Sequence, residues 1–444
     1  VPFAETNLAA MLGALEATGH EIFGPRQLLF DGESTETAIA GMKACDLDLL
    51  LLLQVTFTDA SMTVAAANVF DVPIGIWAIP EPRIGGRLRL NSFCGLNLAS
   101  HALGLNGRAF SWLYADPKGD VAADLAALLA GDRAAGRLEG KNPGSSSETA
   151  TQVVQRISGR RIARLGEHPE GFDTCAYDAD RLKALAGVRV DALDLDDLFE
   201  AGRGADVGKV AALKETIAAD GLDQVDQAEL DRSLRLKLGL EAIRAHGGYD
   251  AFAIRCWPET FNEYGGAVCG PASMMGEARV PCACEADVSG ALTQMVLQEA
   301  SGQAVFLTDL VDMDASDDTG VVWHCGQAPL SMLADGKRAS ATIHTNRKMP
   351  LLFEFPLKPG RVTFLRISQA FGEPKMVLAG GEMLDRPMAF TGTSGVVRFD
   401  REAKKVLKDV MDSGLEHHMA LAYGEHRPLL REIAAEMKLP VLEL

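Results

Sequence analysis

The sequence has few aromatic side chains, 6% of its 444 residues, and no long hydrophobic run. Its most apolar segment, LDLLLLLQV (47–55), falls far short of the roughly 20 residues that cross a bilayer, so no membrane partner is expected. No positively charged stretch followed by a cleavable apolar one opens the chain, and the expected compartment is the cytoplasm. Positive charge is scarce as well: 43 Lys and Arg stand against 61 Asp and Glu, for a formal charge of −18. Nucleic acid is excluded as the main partner, because a polyanion needs basic surface. The eight cysteines include no C-x-x-C; Cys282 and Cys284 form only C-x-C. Contexts such as AVCG and FCGL predict reduced, buried thiols.

What is there is length and rhythm. A chain of 444 residues holds two or three domains. Helices are predicted over 7–19, 34–46 and 59–71, and strands over 47–55 and 72–80, which gives βαβ units on a parallel sheet. A further helix is expected over 120–138, followed by the linker-like EGKNPGSSSETA (139–150). A second α/β stretch includes a long amphipathic helix over 226–247. From about residue 300 the texture becomes short alternating strands separated by turn residues, as in LLFEFPLKPGRVTFLRIS. The expected architecture is α/β: two Rossmann-like domains (1–155 and 156–280), then a β-rich, antiparallel barrel-like C-terminal domain (281–444).

Three places concentrate metal-ligating side chains. RCWPETFNEYG carries Glu259 and Glu263 at i, i+4, on one face if the segment is helical. CEADVSGALT carries Glu285 and Asp287, placed on one side of a strand end by period two. GLEHHMALAYGEHR carries His417, His418 and His426, three of only nine histidines. Two carboxylates and an imidazole suit a hard divalent ion; solvated helix caps and a histidine bonded to backbone would look the same in sequence. Arg83, Arg87, Arg89 and Asn91 follow an apolar strand in IPEPRIGGRLRLNSFCG, where loops of parallel sheets bind ligands. The three arginine guanidinium groups could grip an anion.

EADVSGALT, VFLTDLVDMD, WHCGQAP, EFPLKPGRVTFLRIS and GLEHHMALAYGEHRPLL, in that order, resemble the L-fucose isomerase / L-arabinose isomerase superfamily over residues 250–444, and more loosely before that. The resemblance implies a Mn²⁺ site (or another divalent cation such as Mg²⁺ or Co²⁺) of two carboxylates and a histidine. His418 matches the histidine of the family's His-x-Ala-Leu-x-Tyr-Gly stretch, and Asp287 the second carboxylate. Counting back about two dozen residues matches Glu263, rather than Glu259, to the first. Glu263 and Asp287 would be the acid/base pair as well as ligands.

The implied reaction is aldose–ketose isomerisation of a metal-bound open-chain sugar through a cis-enediolate, in a homo-oligomer (trimer or hexamer) that shares its active site between subunits. His324 and Trp257 are expected in the sugar pocket, with Arg83, Arg87, Arg89 and Asn91. The substrate is either a neutral pentose or 6-deoxyhexose, or an anionic hexose such as a 6-sulfo-hexose of the sulfoquinovose type. The alternatives are a non-catalytic sugar-binding protein and a different divalent-metal carbohydrate enzyme, an aldolase or hydrolase.

Overall fold

The structure, a computed structural model, describes residues 2–444. It is a mixed α/β protein with two parallel sheets and one large mixed sheet. The first sheet has three parallel strands, Leu50–Gln54, Ile74–Ala78 and Ser111–Tyr114, connected by helices. The second has four parallel strands, in the order Arg189–Leu193, Arg161–Leu165, Ala251–Ile254, Cys282–Ala283. Continuous apolar runs such as AFAI and IGIWA form these strands because both faces are covered by helices. The helix expected over 120–138 is shorter, Ala122–Leu129: the chain turns at Gly131, whose φ of +80° ends the helix.

The third sheet has ten strands. Lys375–Met383, Gly360–Ser368, His418–Tyr423, Phe306–Asp314, Thr319–His324 and Thr393–Phe399 are neighbours in that order, and Thr393–Phe399 pairs back to Lys375–Met383, closing the circuit. The helix Val288–Ser301 packs against this sheet and is buried without a break from Val288 to Gln298. Its apolar and small residues on every side suit an element with no solvent face. The helix Ser92–Leu105 is buried from Ser92 to Leu103 for the same reason. It ties the N-terminal layer to the large sheet: Asn97 Nδ2 donates to the Leu415 carbonyl (3.2 Å), and His101 Nδ1 lies 2.8 Å from the Gly414 carbonyl oxygen.

Candidate active site

His418 opens the strand His418–Tyr423 and sits opposite Asp309 in the antiparallel ladder with Phe306–Asp314. Residues paired in this way have neighbouring side chains on one face. The His418 ring has two different sides. Nδ1 lies 3.0 Å from Asp287 Oδ2, while Nε2 lies 3.5 Å from Asp309 Oδ1 and 3.7 Å from Glu285 Oε2. A carboxylate at Nδ1 fixes the tautomer with its proton there and leaves the Nε2 lone pair free.

Asp287 is fully buried and every oxygen is used. It caps the helix Val288–Ser301: Oδ1 accepts from Gly290 N–H (2.7 Å). Arg366 donates to Oδ2 through Nη1 (2.5 Å) and to Oδ1 through Nη2 (3.2 Å). A Cβ at Gly290 would stand 2.4 Å from Oδ2, so the close approach of helix and carboxylate requires glycine here. Burial by itself would raise the Asp287 carboxyl, but the Arg366 charge and the His418 hydrogen bond outweigh it and keep the group ionised.

Glu285 stands on the other side of the ring. The strand expected at its position stops at Ala283, and Cys284–Ala286 form one turn of 3₁₀ helix. Within that turn Glu285 (φ 58°) and Ala286 (φ 54°) adopt left-handed backbone, a cost non-glycine residues bear mainly where a site needs it. The turn aims Glu285 at the histidines. Its Oε2 lies 2.9 Å from His417 Nε2, and its Oε1 accepts from Trp257 Nε1–H at 3.3 Å. Burial pushes the carboxyl up, but the His417 hydrogen bond and the charges of His417, His418 and His324 pull it down to about 2. In return, His417 is raised: burial lowers it, and the Glu285 contact more than compensates.

Asp309 completes the pocket. Its Oδ1 is buried and has no hydrogen-bond partner. His324, at the end of the strand Thr319–His324, is buried and stacks on His418 with centroids 5.7 Å apart. His324 Nδ1 accepts from the Cys325 N–H (2.8 Å), so in the neutral ring Nε2 carries the proton as a free donor. Two overlapping sets of side chains have donor atoms within 4.8 Å of one another, Asp309, His324 and His418, and Cys175, Glu285, His417 and His418; with its Nδ1 lone pair taken by Cys325 N–H, His324 borders the first set rather than ligating.

The structure rearranges the expected ligand set. Glu263 lies on an irregular helical turn, Thr260–Tyr264, with its side chain exposed, and it belongs to neither set. Glu259 pairs with Arg255 Nε at 2.6 Å. Asp287 is beside His418, but Arg366, Gly290 and His418 Nδ1 occupy its oxygens, which leaves it no face for a cation. The carboxylates that face His418 Nε2 are Glu285 and Asp309. In sequence Glu285 reads as a neighbour of Asp287, and Asp309 is one of several acidic residues in VFLTDLVDMD. Spacing does not choose between the pairs: 24 positions separate Glu263 from Asp287, and 24 also separate Glu285 from Asp309.

The arginines divide too. Arg83 does not face a ligand: its Nε donates to Asp312 Oδ2 (2.6 Å) and its Nη1 to Thr319 Oγ1 (2.6 Å). Arg89 is held by Glu81 (Nε to Oε1, 3.1 Å) and covers the Phe3 ring. Only Arg87, exposed and donating to Asn346 Oδ1, lacks a carboxylate partner among the three. Asn91 precedes the helix Ser92–Leu105 in left-handed backbone (φ 48°), with a buried Oδ1 that has no partner. It is close to Cys94, whose thiol is pushed up by burial and then by the charge of Asp309. Trp257 borders the pocket through its bond to Glu285 and packs edge-on against Phe172.

Comparison with known proteins gives this pocket a class. Residues 1–138 match the family model described as fucose/sulfoquinovose isomerase, N-terminal domain, and residues 322–444 match L-fucose isomerase, C-terminal domain. The enzyme is thus an aldose–ketose isomerase. The sulfoquinovose isomerase of Alkalicoccus urumqiensis is 32% identical over 403 residues, covering 89% of this chain and 86% of the relative. That of Priestia aryabhattai is 30% identical over 94% of this chain and 90% of its own, and that of Clostridium sp. (strain MSTE9) is 28% identical over 88% and 85%. The chain belongs to the fucose/sulfoquinovose isomerase family. No described helix is long and apolar enough to cross a membrane.

Proposed function

We propose that the enzyme interconverts the aldose and ketose forms of a 6-sulfo-hexose of the sulfoquinovose type, with a divalent cation, Mn²⁺ foremost, held by Glu285, Asp309 and His418. One observation carries the site: the buried Asp309 Oδ1 has no partner, 3.5 Å from a histidine nitrogen whose lone pair is free. Oxygen and nitrogen donors about 2.1 Å from a common ion stand about 3–3.5 Å apart, close to the distances from Nε2 of His418, the residue common to both donor sets, to Asp309 (3.5 Å) and Glu285 (3.7 Å). The relatives named sulfoquinovose isomerase favour the anionic substrate over a neutral pentose or 6-deoxyhexose.

When bound, the cation polarises the sugar carbonyl and stabilises charge developing on O1 and O2. The chain supplies the rest. The open-chain sugar lies with C1 and C2 between Glu285 and Asp309. One carboxylate takes the C2 proton and returns it to C1 through a cis-enediolate, while the other moves the hydroxyl proton from O2 to O1; the first task needs a group ionised at neutral pH, as His417 keeps Glu285. His324 Nε2–H donates to a sugar oxygen. Arg366, through Asp287, holds His418 in orientation.

All eight cysteines are free thiols, which supports a reducing compartment, the cytoplasm. The family resemblance supports a homo-oligomer, trimer or hexamer, and Ile84, 77% exposed beside Arg83, is suited to burial by a second copy. The test is a panel of sulfoquinovose and neutral aldoses given to chelator-stripped enzyme with and without Mn²⁺. Ketose at constant mass, dependent on metal, is expected. Carbon–carbon cleavage would make the enzyme an aldolase, and metal-free binding of sugar without conversion would make it a sugar-binding protein.

A further inference from the structure

A second guanidinium without a carboxylate partner follows directly after Asn346, the residue that accepts from Arg87. Arg347 is exposed, in the loop between the strands Ala339–Thr342 and Leu352–Pro356, and its Cζ lies 5.7 Å from the centre of a Trp257 ring. Its neighbour Asn346 accepts the hydrogen bond from Arg87 Nη2, so loops of the N-terminal layer and the large sheet meet here. His344 folds this loop: its Nδ1 accepts from the Asn346 and Arg347 backbone N–H groups at 3.2 Å each, and its ring packs on Phe261 with centroids 5.2 Å apart. Among the described residues no carboxylate lies within 4.0 Å of either guanidinium, unlike those of Arg83 and Arg89.

Trp257 connects this pair to the chemistry. One edge of the indole donates to Glu285 Oε1 (3.3 Å), and its face carries Arg347. The indole thus touches both Glu285, at its edge, and Arg347, over its face. An extended six-carbon chain spans about 6 Å from C1 to C6, and a terminal anionic group with its contacts supplies the remaining reach. On a chain of charge −18 the general field repels an anion, so recognition needs local positive charge at the mouth. Planar N–H forks meet the oxygens of a sulfonate better than an ammonium does.

We infer that Arg347, together with Arg87, receives the sulfonate at C6 of the substrate, with Trp257 lying along the sugar between the sulfonate and Glu285. This rests on the substrate proposed above and assigns it a specificity site. The experiment measures kcat/KM for sulfoquinovose and for quinovose, the same sugar without the sulfonate, in wild type, Arg347→Met, Arg347→Lys and Arg87→Met. In Arg347→Met the sulfoquinovose-over-quinovose ratio should fall about 10- to 100-fold, as expected for lost hydrogen bonds between charged groups, mainly through KM. Arg347→Lys should recover only part, and Arg87→Met should fall less than Arg347→Met. An unchanged ratio in Arg347→Met overturns the subsite. A wild type that converts quinovose but not sulfoquinovose overturns subsite and proposed substrate together and leaves the isomerase standing. If neither sugar gives ketose, the proposed function fails, and calorimetric binding of sulfoquinovose decides the subsite separately: weaker binding to Arg347→Met supports it, equal binding overturns it. Glucose 6-phosphate converted as well as sulfoquinovose would overturn the choice of sulfonate.

Discussion

Asp287 and Asp309 lie on opposite sides of the His418 ring, both buried, in opposite electrostatic situations. Asp287 receives an Arg366 fork, a helix N-terminus and a histidine N–H. Asp309 Oδ1 receives nothing. A buried carboxylate oxygen without a partner costs free energy that a bound cation would offset. The same residue type thus does structural work on one side of the imidazole and has an unpaired oxygen on the other, where the proposed cation would sit. Arg83 and Arg87 repeat the contrast with the sign reversed: one is locked to Asp312, while the other bonds only the Asn346 amide and has no carboxylate partner.

The largest effect should come from Asp309→Asn. Turnover should fall about 10²- to 10⁴-fold, the range for a lost acid/base group, while the metal-free variant melts no lower than wild type. Mn²⁺ at 100 times its dissociation constant should stabilise wild type by about 2.7 kcal/mol and this variant far less; a variant that unfolds without metal would erase the distinction between the two aspartates. Arg366→Met should do the reverse of that stability result, costing about 3–5 kcal/mol in chemical denaturation because Asp287 is left buried and unpaired; a loss below about 1 kcal/mol would mean that His418 and Gly290 suffice.

Arg83→Met should cost about 1–3 kcal/mol through the orphaned Asp312, with no change in the sulfoquinovose-over-quinovose ratio; a drop in that ratio would restore Arg83 to the anion site. The smallest effect belongs to the exposed network of Arg361, Asp400, Glu425 and Arg427. Hydrogen bonds from Arg427, and then from Arg361, lower Glu425 to about 2 against burial. A lowered carboxyl stabilises the fold above its unfolded pKa and loses that contribution as pH falls towards 2. At this exposure solvent screening limits the effect to about 1 kcal/mol, read as the difference between wild type and Glu425→Gln across pH 2–5.

Much of this is legible in the chain. Apolar runs and helix caps mark the α/β layers, the alternating strands mark the large sheet, and HMALAYG marks the histidine strand. Asp309 is harder to see. Asp309, Asp312 and Asp314 share one strand, and only the pairing of His418 with Asp309 singles it out. Glu285 turns inward through a left-handed backbone that no residue pattern announces.

By itself, the sequence determined the class of fold and which histidines and carboxylates are available to a site, because burial period, turn residues and motif order are written locally along the chain. Only the tertiary structure decided which carboxylate each cation claims. Arg83 finds Asp312 across 229 residues and Arg366 finds Asp287 across 79. A charge acts on what lies within a few ångströms of it, and strand register and loop approach, which set those distances, exist only in the folded chain.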